Sequence, residues 1–213
     1  MSRVLVTALL ALTLLFQLPV VEASDWSRIV KMLRASTVPI ACSEHQQNVC
    51  TAFSINRDQG LYMTAFHCTE EFMNTPREEG AKAEFPTLFD KPLEVIYANK
   101  ALDLAILKAE VKKPALRYRT KPLEVGNEVG AYGYGMGMAV PIFRSAIVSV
   151  FLRDEAGTEW VLLDNSLVQG MSGGPIVDRS GRVIGVNDKT NRESGMTLSI
   201  AQILAATQFW ASE

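Results

Sequence analysis

Only two histidines occur among the 213 residues, His45 and His67. Chemistry that needs an imidazole base therefore has at most two places to stand. Cysteine is almost as scarce. Cys42, Cys50 and Cys68 all fall early in the chain, so any bridge is local, and their odd number leaves at least one thiol unpaired or paired between chains. Long runs of Lys or Arg are missing and the formal net charge is −2, which gives no footing for a nucleic-acid partner. Internal repeats and low-complexity tracts are missing too. GYGMG at 133–137 lacks the full spacing of a phosphate-binding G-x-G-x-x-G and has no βαβ context, so it reads as a strand end and turn.

One long hydrophobic run is present. Arg3 precedes the apolar stretch VLVTALLALTLLFQL, and VEA at 21–23 resembles a cleavage site of small residues. The run is short for a membrane span and has the order of a secretory signal peptide. Residues 1–23 are expected to be removed, with no membrane span afterwards and a periplasmic or secreted destination. Export makes disulfides permissible.

Residues 24–35 are predicted as a short helix capped by Ser24 or Asp25, with Trp26, Ile29, Val30 and Leu33 at helical spacing. Short runs rich in Val, Ile, Phe, Thr and Tyr follow, separated by Gly, Pro and Asn. They predict strands near 37–42, 49–55, 61–65, 92–98, 104–108, 128–133, 142–152, 159–164, 175–178, 182–187 and 196–200. DRSG at 178–181 predicts a hairpin turn. Residues 201–210 return to helical periodicity. The pattern is all-β, with short helices at both ends. The proline-bearing stretch 109–124 reads as a linker between two halves, its basic residues solvated.

QGMSGGP at 169–175 packs three glycines and a proline around Ser172. A serine hydroxyl is a weak nucleophile. It needs a base within reach and a third group to orient that base. His67, delivered by the apolar run before it, suits the base better than His45, which lies in the polar stretch between two cysteines. Asp103 stands among leucines in ALDLAIL, where a lone carboxylate is costly to bury without a partner. Asp90, Asp154 and Asp178 sit in turns. Asp164 is the nearest rival, eight positions before Ser172.

TAFHC at 64–68, DLAIL at 103–107 and GMSGGP at 170–175 resemble, in that order, the three motifs of trypsin-like, chymotrypsin-fold serine proteases. The resemblance runs from about residue 36 to 200. It implies two antiparallel six-stranded β-barrels with the active site between them, the first over about 36–110 and the second over about 124–200, within one protease domain spanning 24–213. It implies a serine endopeptidase of protein or peptide substrates working through an acyl-enzyme. Ser172 would be the nucleophile, His67 the base and Asp103 its orienting acid. The backbone N–H groups of Gly170 and Ser172 would form the oxyanion hole. Cys50 and Cys68 occupy the family's positions for a disulfide beside the histidine; a 42–50 bridge is the rival pairing.

The short loops and the ending SGMTLSIAQIL are closer to the bacterial HtrA-type branch, but the sequence stops without a PDZ domain, so activation through one is not implied. Met171 stands where trypsin-type zymogens carry the Asp that receives a new N-terminus. Ser166 and Asn187 fall at specificity-pocket positions and disfavour Lys/Arg and Glu preferences, pointing to a small or medium apolar residue before the scissile bond. The competing expectation is a catalytically impaired binding protein on the same fold. No cofactor or metal is expected. A Cys42–His45–Cys50 zinc site would need Cys68 as its fourth ligand and lacks the usual paired spacing.

Overall fold

The computed structural model describes residues 26–41, 49–70, 87–88, 91–136, 140–165, 167–190 and 195–199. The expected signal peptide, Cys42, His45, Asp90, Ser166 and the C-terminal helix lie outside them.

Helix α1 runs over Ser27–Ser36, slightly later than expected. Trp26 occupies its N-cap and offers no side-chain cap; its carbonyl accepts the N–H of Val30 at 2.8 Å. The Trp26 ring is spent on tertiary contacts instead, packing on Phe143 and beneath the Arg179 guanidinium.

The first sheet holds β1 (Thr37–Ala41), β2 (Val49–Asn56), β3 (Leu61–Thr64), β6 (Glu94–Asn99) and β7 (Leu104–Lys108). Its order is β1-β2-β3-β7-β6, all antiparallel. Among the described residues it has five strands and stays open, so the expected six-stranded barrel is not seen in this half. A two-stranded ribbon of β4 (Thr87–Leu88) and β5 (Lys91–Pro92) forms a separate small sheet beside β1.

The second half closes on itself. Strands β8 (Glu128–Gly133), β9 (Ile142–Arg153), β10 (Glu159–Leu163), β11 (Pro175–Asp178), β12 (Val183–Thr190) and β13 (Gly195–Ser199) pair in the order β10-β13-β12-β11-β8-β9, and β9 returns to β10. The turn from β11 to β12 is the expected DRSG hairpin, with the N–H of Gly181 on the Asp178 carbonyl at 2.9 Å.

The stretch 109–124 is less independent than a linker. Leu116 is buried, and Tyr118 makes a parallel bridge to Val183 on β12. Arg119 departs from the solvated reading of its charge: it pairs with buried Asp178 at 2.9 Å and caps two carbonyls of its own segment.

Three apolar clusters hold the molecule. One fills the first sheet around Ile40, Tyr62 and Leu107. Another fills the barrel around Val129, Leu163 and Ile176. The third joins the halves: Phe53, Met63 and Leu104 meet Tyr132, Val177, Val183 and Val186, with Leu33 of α1 over them. Burying a side chain of this size contributes roughly 1.5–3 kcal/mol. The seam between the halves is therefore a core, and it fixes side chains from both.

Candidate active site

His67 lies in the 3₁₀ turn Phe66–Cys68, directly after β3, whose four residues are all buried. The turn is tied twice. Thr69 closes it by giving its N–H and its hydroxyl to the Phe66 carbonyl, at 2.7 and 2.8 Å. A disulfide joins Cys68 to Cys50 of β2. This is the pairing the resemblance implied, and it removes two thiolates from the zinc alternative.

Asp103 ends the turn before β7 with φ +48°, a left-handed conformation that aspartate tolerates better than most residues. Its carbonyl accepts the N–H of Phe66 at 3.0 Å. One carboxylate oxygen accepts the His67 backbone N–H at 2.8 Å, and the other lies 2.6 Å from Nδ1 of the ring. Burial alone raises the Asp103 carboxyl. Hydrogen bonds from the backbone and ring of His67 and the charge of His67 outweigh it and hold the group at about 2. An ionised carboxylate only accepts, so Nδ1 carries a proton, and in the neutral ring Nε2 is then the acceptor. The Asp103 side chain is 13% exposed and the His67 side chain 43%. Asp103 is sheltered while His67 looks outward.

Ser172 sits in the loop before β11. Asn187 on β12 holds that loop from below: its carbonyl accepts the N–H of Gly173 at 2.8 Å, its N–H meets the Gly174 carbonyl at 2.8 Å, and its amide donates to the Met171 carbonyl at 3.2 Å. Asn187 is fully buried, so the residue expected in the specificity pocket lies beneath the loop. Met171 is fully buried too, packed with the barrel cluster. Such burial contributes roughly 1.5–3 kcal/mol, comparable with a hydrogen bond to a charged group. An apolar anchor of that size can hold the loop without an ion pair.

Two glycines are required here. Gly170 (φ +95°) and Gly173 (φ +80°) are left-handed, and a Cβ on either would overlap backbone atoms. The Gln169 carbonyl accepts the N–H of Met136 at 2.7 Å. A trans peptide directs its two polar groups oppositely, so the Gly170 N–H points away from Met136. Among the described residues neither this N–H nor that of Ser172 meets an acceptor. Ser172 Oγ lies 3.5 Å from the Asp188 carbonyl, the outer edge of hydrogen-bond reach.

Asp164 is not part of this arrangement. Its carboxylate accepts the Ile147 N–H at 2.6 Å and ties β9 to the end of β10. Asp154 caps its own turn through Thr158 and Trp160.

Two residues escaped the sequence reading. Thr51 of β2 gives its N–H to the Ser172 carbonyl at 2.9 Å and its hydroxyl to the Gly170 carbonyl at 2.9 Å, and the hydroxyl oxygen accepts the Tyr134 N–H at 2.8 Å. Asp188 is a buried acid with one carboxyl oxygen within 4.8 Å of an Asp103 carboxyl oxygen and of a His67 ring nitrogen. Asp188 lies between Asn187 and Lys189, so it lacks the apolar setting that singled out Asp103.

Known proteins resemble this chain in sequence and in fold. Residues 50–186 match the model of the trypsin-like peptidase domain. The magnetosome formation protease MamE of Paramagnetospirillum magneticum is 27% identical over 175 residues, covering 76% of this chain and 23% of MamE. A probable periplasmic serine endoprotease, DegP-like, of Brucella suis is 36% identical over 115 residues, covering 51% of this chain and 22% of its own length. The chain thus spans less than a quarter of either relative. The HtrA-type protease AlgW, solved with a tripeptide, superposes with a TM-score of 0.70 at 20% identity, covering 86% of this chain and 62% of AlgW, a likeness of fold. The chain belongs to the trypsin-like peptidase family, among relatives of the HtrA-type serine proteases.

Proposed function

We infer that this chain is an exported serine endopeptidase that cleaves peptide bonds through Ser172, His67 and Asp103. The observation that carries the reading is the His67–Asp103 pair, in which one carboxylate oxygen meets the backbone N–H and the other the ring Nδ1 of His67.

In this reading Nε2 of His67 takes the proton from Ser172 Oγ as the oxygen attacks the peptide carbonyl. The C–O bond forms, and negative charge moves to the carbonyl oxygen. The N–H groups of Gly170 and Ser172 receive that charge. As the intermediate collapses, the imidazolium returns its proton to the leaving amine, and water then resolves the acyl-enzyme by the same steps. Asp103 keeps the imidazole in one tautomer and stabilises its charged form. Export is supported by the leader-like first 23 residues and by the Cys50–Cys68 bridge, which suits an oxidising compartment.

The test uses protein lacking residues 1–23. A fluorophosphonate should label the parent at Ser172, and the parent should degrade a denatured protein substrate; Ser172→Ala should do neither. A folded parent that neither labels nor cleaves would overturn the reading in favour of a binding protein on the protease fold.

A further inference from the structure

Asn187 is fully buried on β12 and grips the loop on both sides of Ser172. Its backbone holds Gly173 and Gly174, at 2.8 Å each. Its side-chain amide donates to the Met171 carbonyl at 3.2 Å. The amide can face only one way. The Met171 carbonyl is an acceptor, already engaged by the Gly174 N–H at 2.9 Å, so Nδ2 must point toward it. Oδ1 is then left buried, with no donor among the described residues. A buried acceptor without a donor costs stability, and an apolar side chain would avoid that cost. Stability alone therefore does not explain an asparagine here.

Peptide geometry gives the amide its work. The Met171 carbonyl and the Ser172 N–H belong to one trans peptide and point in opposite directions. Drawing the carbonyl toward Asn187 therefore turns the Ser172 N–H away from it. The Gly174 N–H cannot set this direction alone. It lies in the same loop, and its bond to Met171 fixes the turn only against itself. Asn187 belongs to a barrel strand paired with both β11 and β13. Its amide fixes the peptide against the barrel.

We propose that Asn187 is a positioning residue for the oxyanion hole: its Nδ2 holds the Met171 carbonyl inward, so that the Ser172 N–H faces the carbonyl oxygen of the substrate. The buried Oδ1 is what this placement costs the fold. The proposal deepens the protease reading and rests on it for its kinetic consequences.

Two measurements on protein lacking residues 1–23 test it, and one needs no activity. Met171–Ser172 is the only Met-Ser pair after residue 23, so ¹³C-carbonyl methionine combined with ¹⁵N-serine labels that one peptide. Its carbonyl resonance should move upfield in Asn187→Val, as for a carbonyl that has lost a donor. A resonance that stays or moves downfield would overturn the proposal, whether or not the protein is a protease. The kinetic arm compares ester substrates with their thiono analogues, whose sulfur accepts hydrogen bonds weakly. Asn187→Val should lower kcat on the oxygen ester by roughly ten- to a hundredfold, part of the cost of losing one oxyanion donor outright, with KM little changed. The advantage of the oxygen ester over the thiono ester should shrink. Asn187→Ala, too small to crowd the loop, should reproduce both changes. A kcat equal to the parent's in both variants would overturn the proposal. So would a fall in kcat that spares the oxygen-to-sulfur ratio and follows a lowered Tm, the mark of a purely structural residue. A parent that turns over neither ester would sink the protease reading, and the carbonyl resonance would still decide where the Asn187 amide points its proton.

Discussion

The hydroxyl of Thr51 donates to the carbonyl of Gly170 at 2.9 Å, although 119 residues separate them in the chain. The same oxygen accepts the Tyr134 N–H from the end of β8, and the Thr51 N–H holds the Ser172 carbonyl. A side chain of the first sheet thus braces the loop that carries Ser172 in the second. Thr51→Val keeps the shape and removes the hydroxyl, leaving a buried carbonyl and an N–H short of a partner, at about 1–3 kcal/mol of stability. Kcat should fall by up to roughly a hundredfold, as expected when reacting groups shift by about an ångström, while KM changes little. Thr51→Ser should restore kcat. Steady-state kinetics on the three proteins decide the matter, and a threonine-to-valine variant with unchanged kcat would remove Thr51 from the positioning set.

Gly173 is constrained twice over. Its φ of +80° disfavours any side chain, and a Cβ there would overlap the Thr64 hydroxyl and the Thr51 carbonyl. Those two groups already bond each other at 2.8 Å, so neither can yield cheaply. Gly173→Ala should destabilise the fold by more than about 2 kcal/mol, since backbone strain alone costs of order 1–3 kcal/mol. Denaturant unfolding measures this. A cost within 0.5 kcal/mol (roughly the scatter of neutral surface changes) would contradict the close packing around the loop.

Arg119 and Asp178 carry a pH-dependent contribution. Burial raises the Asp178 carboxyl, but donors from Ser180, Arg182 and Arg119 together bring it below its ordinary 3.8. A carboxyl lowered in the folded state contributes stability that is complete above the unfolded value and is lost as pH falls through the folded one. Arg119→Met should cost roughly 2 kcal/mol at neutral pH, less than the loss of a sole partner, because the other donors remain. The gap between variant and parent should narrow as pH drops below 3.8, where Asp178 takes up a proton. Parallel unfolding curves at neutral and acid pH would show this, and a gap independent of pH would contradict it.

Most strands were legible because their cause is local. β7 reads LAILK and β11 reads PIVD, apolar and bounded by turn residues, and the structure places both where the pattern does. The short ribbon of β4 and β5 has two residues a side and leaves no periodic trace. His67 and Asp103 were found by chemistry, as the histidine after an apolar strand and the acid among leucines. Thr51 could not be found that way. A threonine in a strand is unremarkable by itself, and its partners lie 119 and 83 residues away. Arg119 was read as solvated for the same reason: its ion pair is with a residue 59 positions on.

Met171 has a consequence of its own. An ion pair made by a newly cut terminus is a record that an earlier cleavage took place, and a loop held by one is informed of that event. A methionine buried beneath the loop carries no record. Its anchor is complete once the barrel has closed, so the loop takes its shape from folding itself. In this segment the shape of the loop is tied to the packing of the barrel and not to a cut elsewhere in the chain.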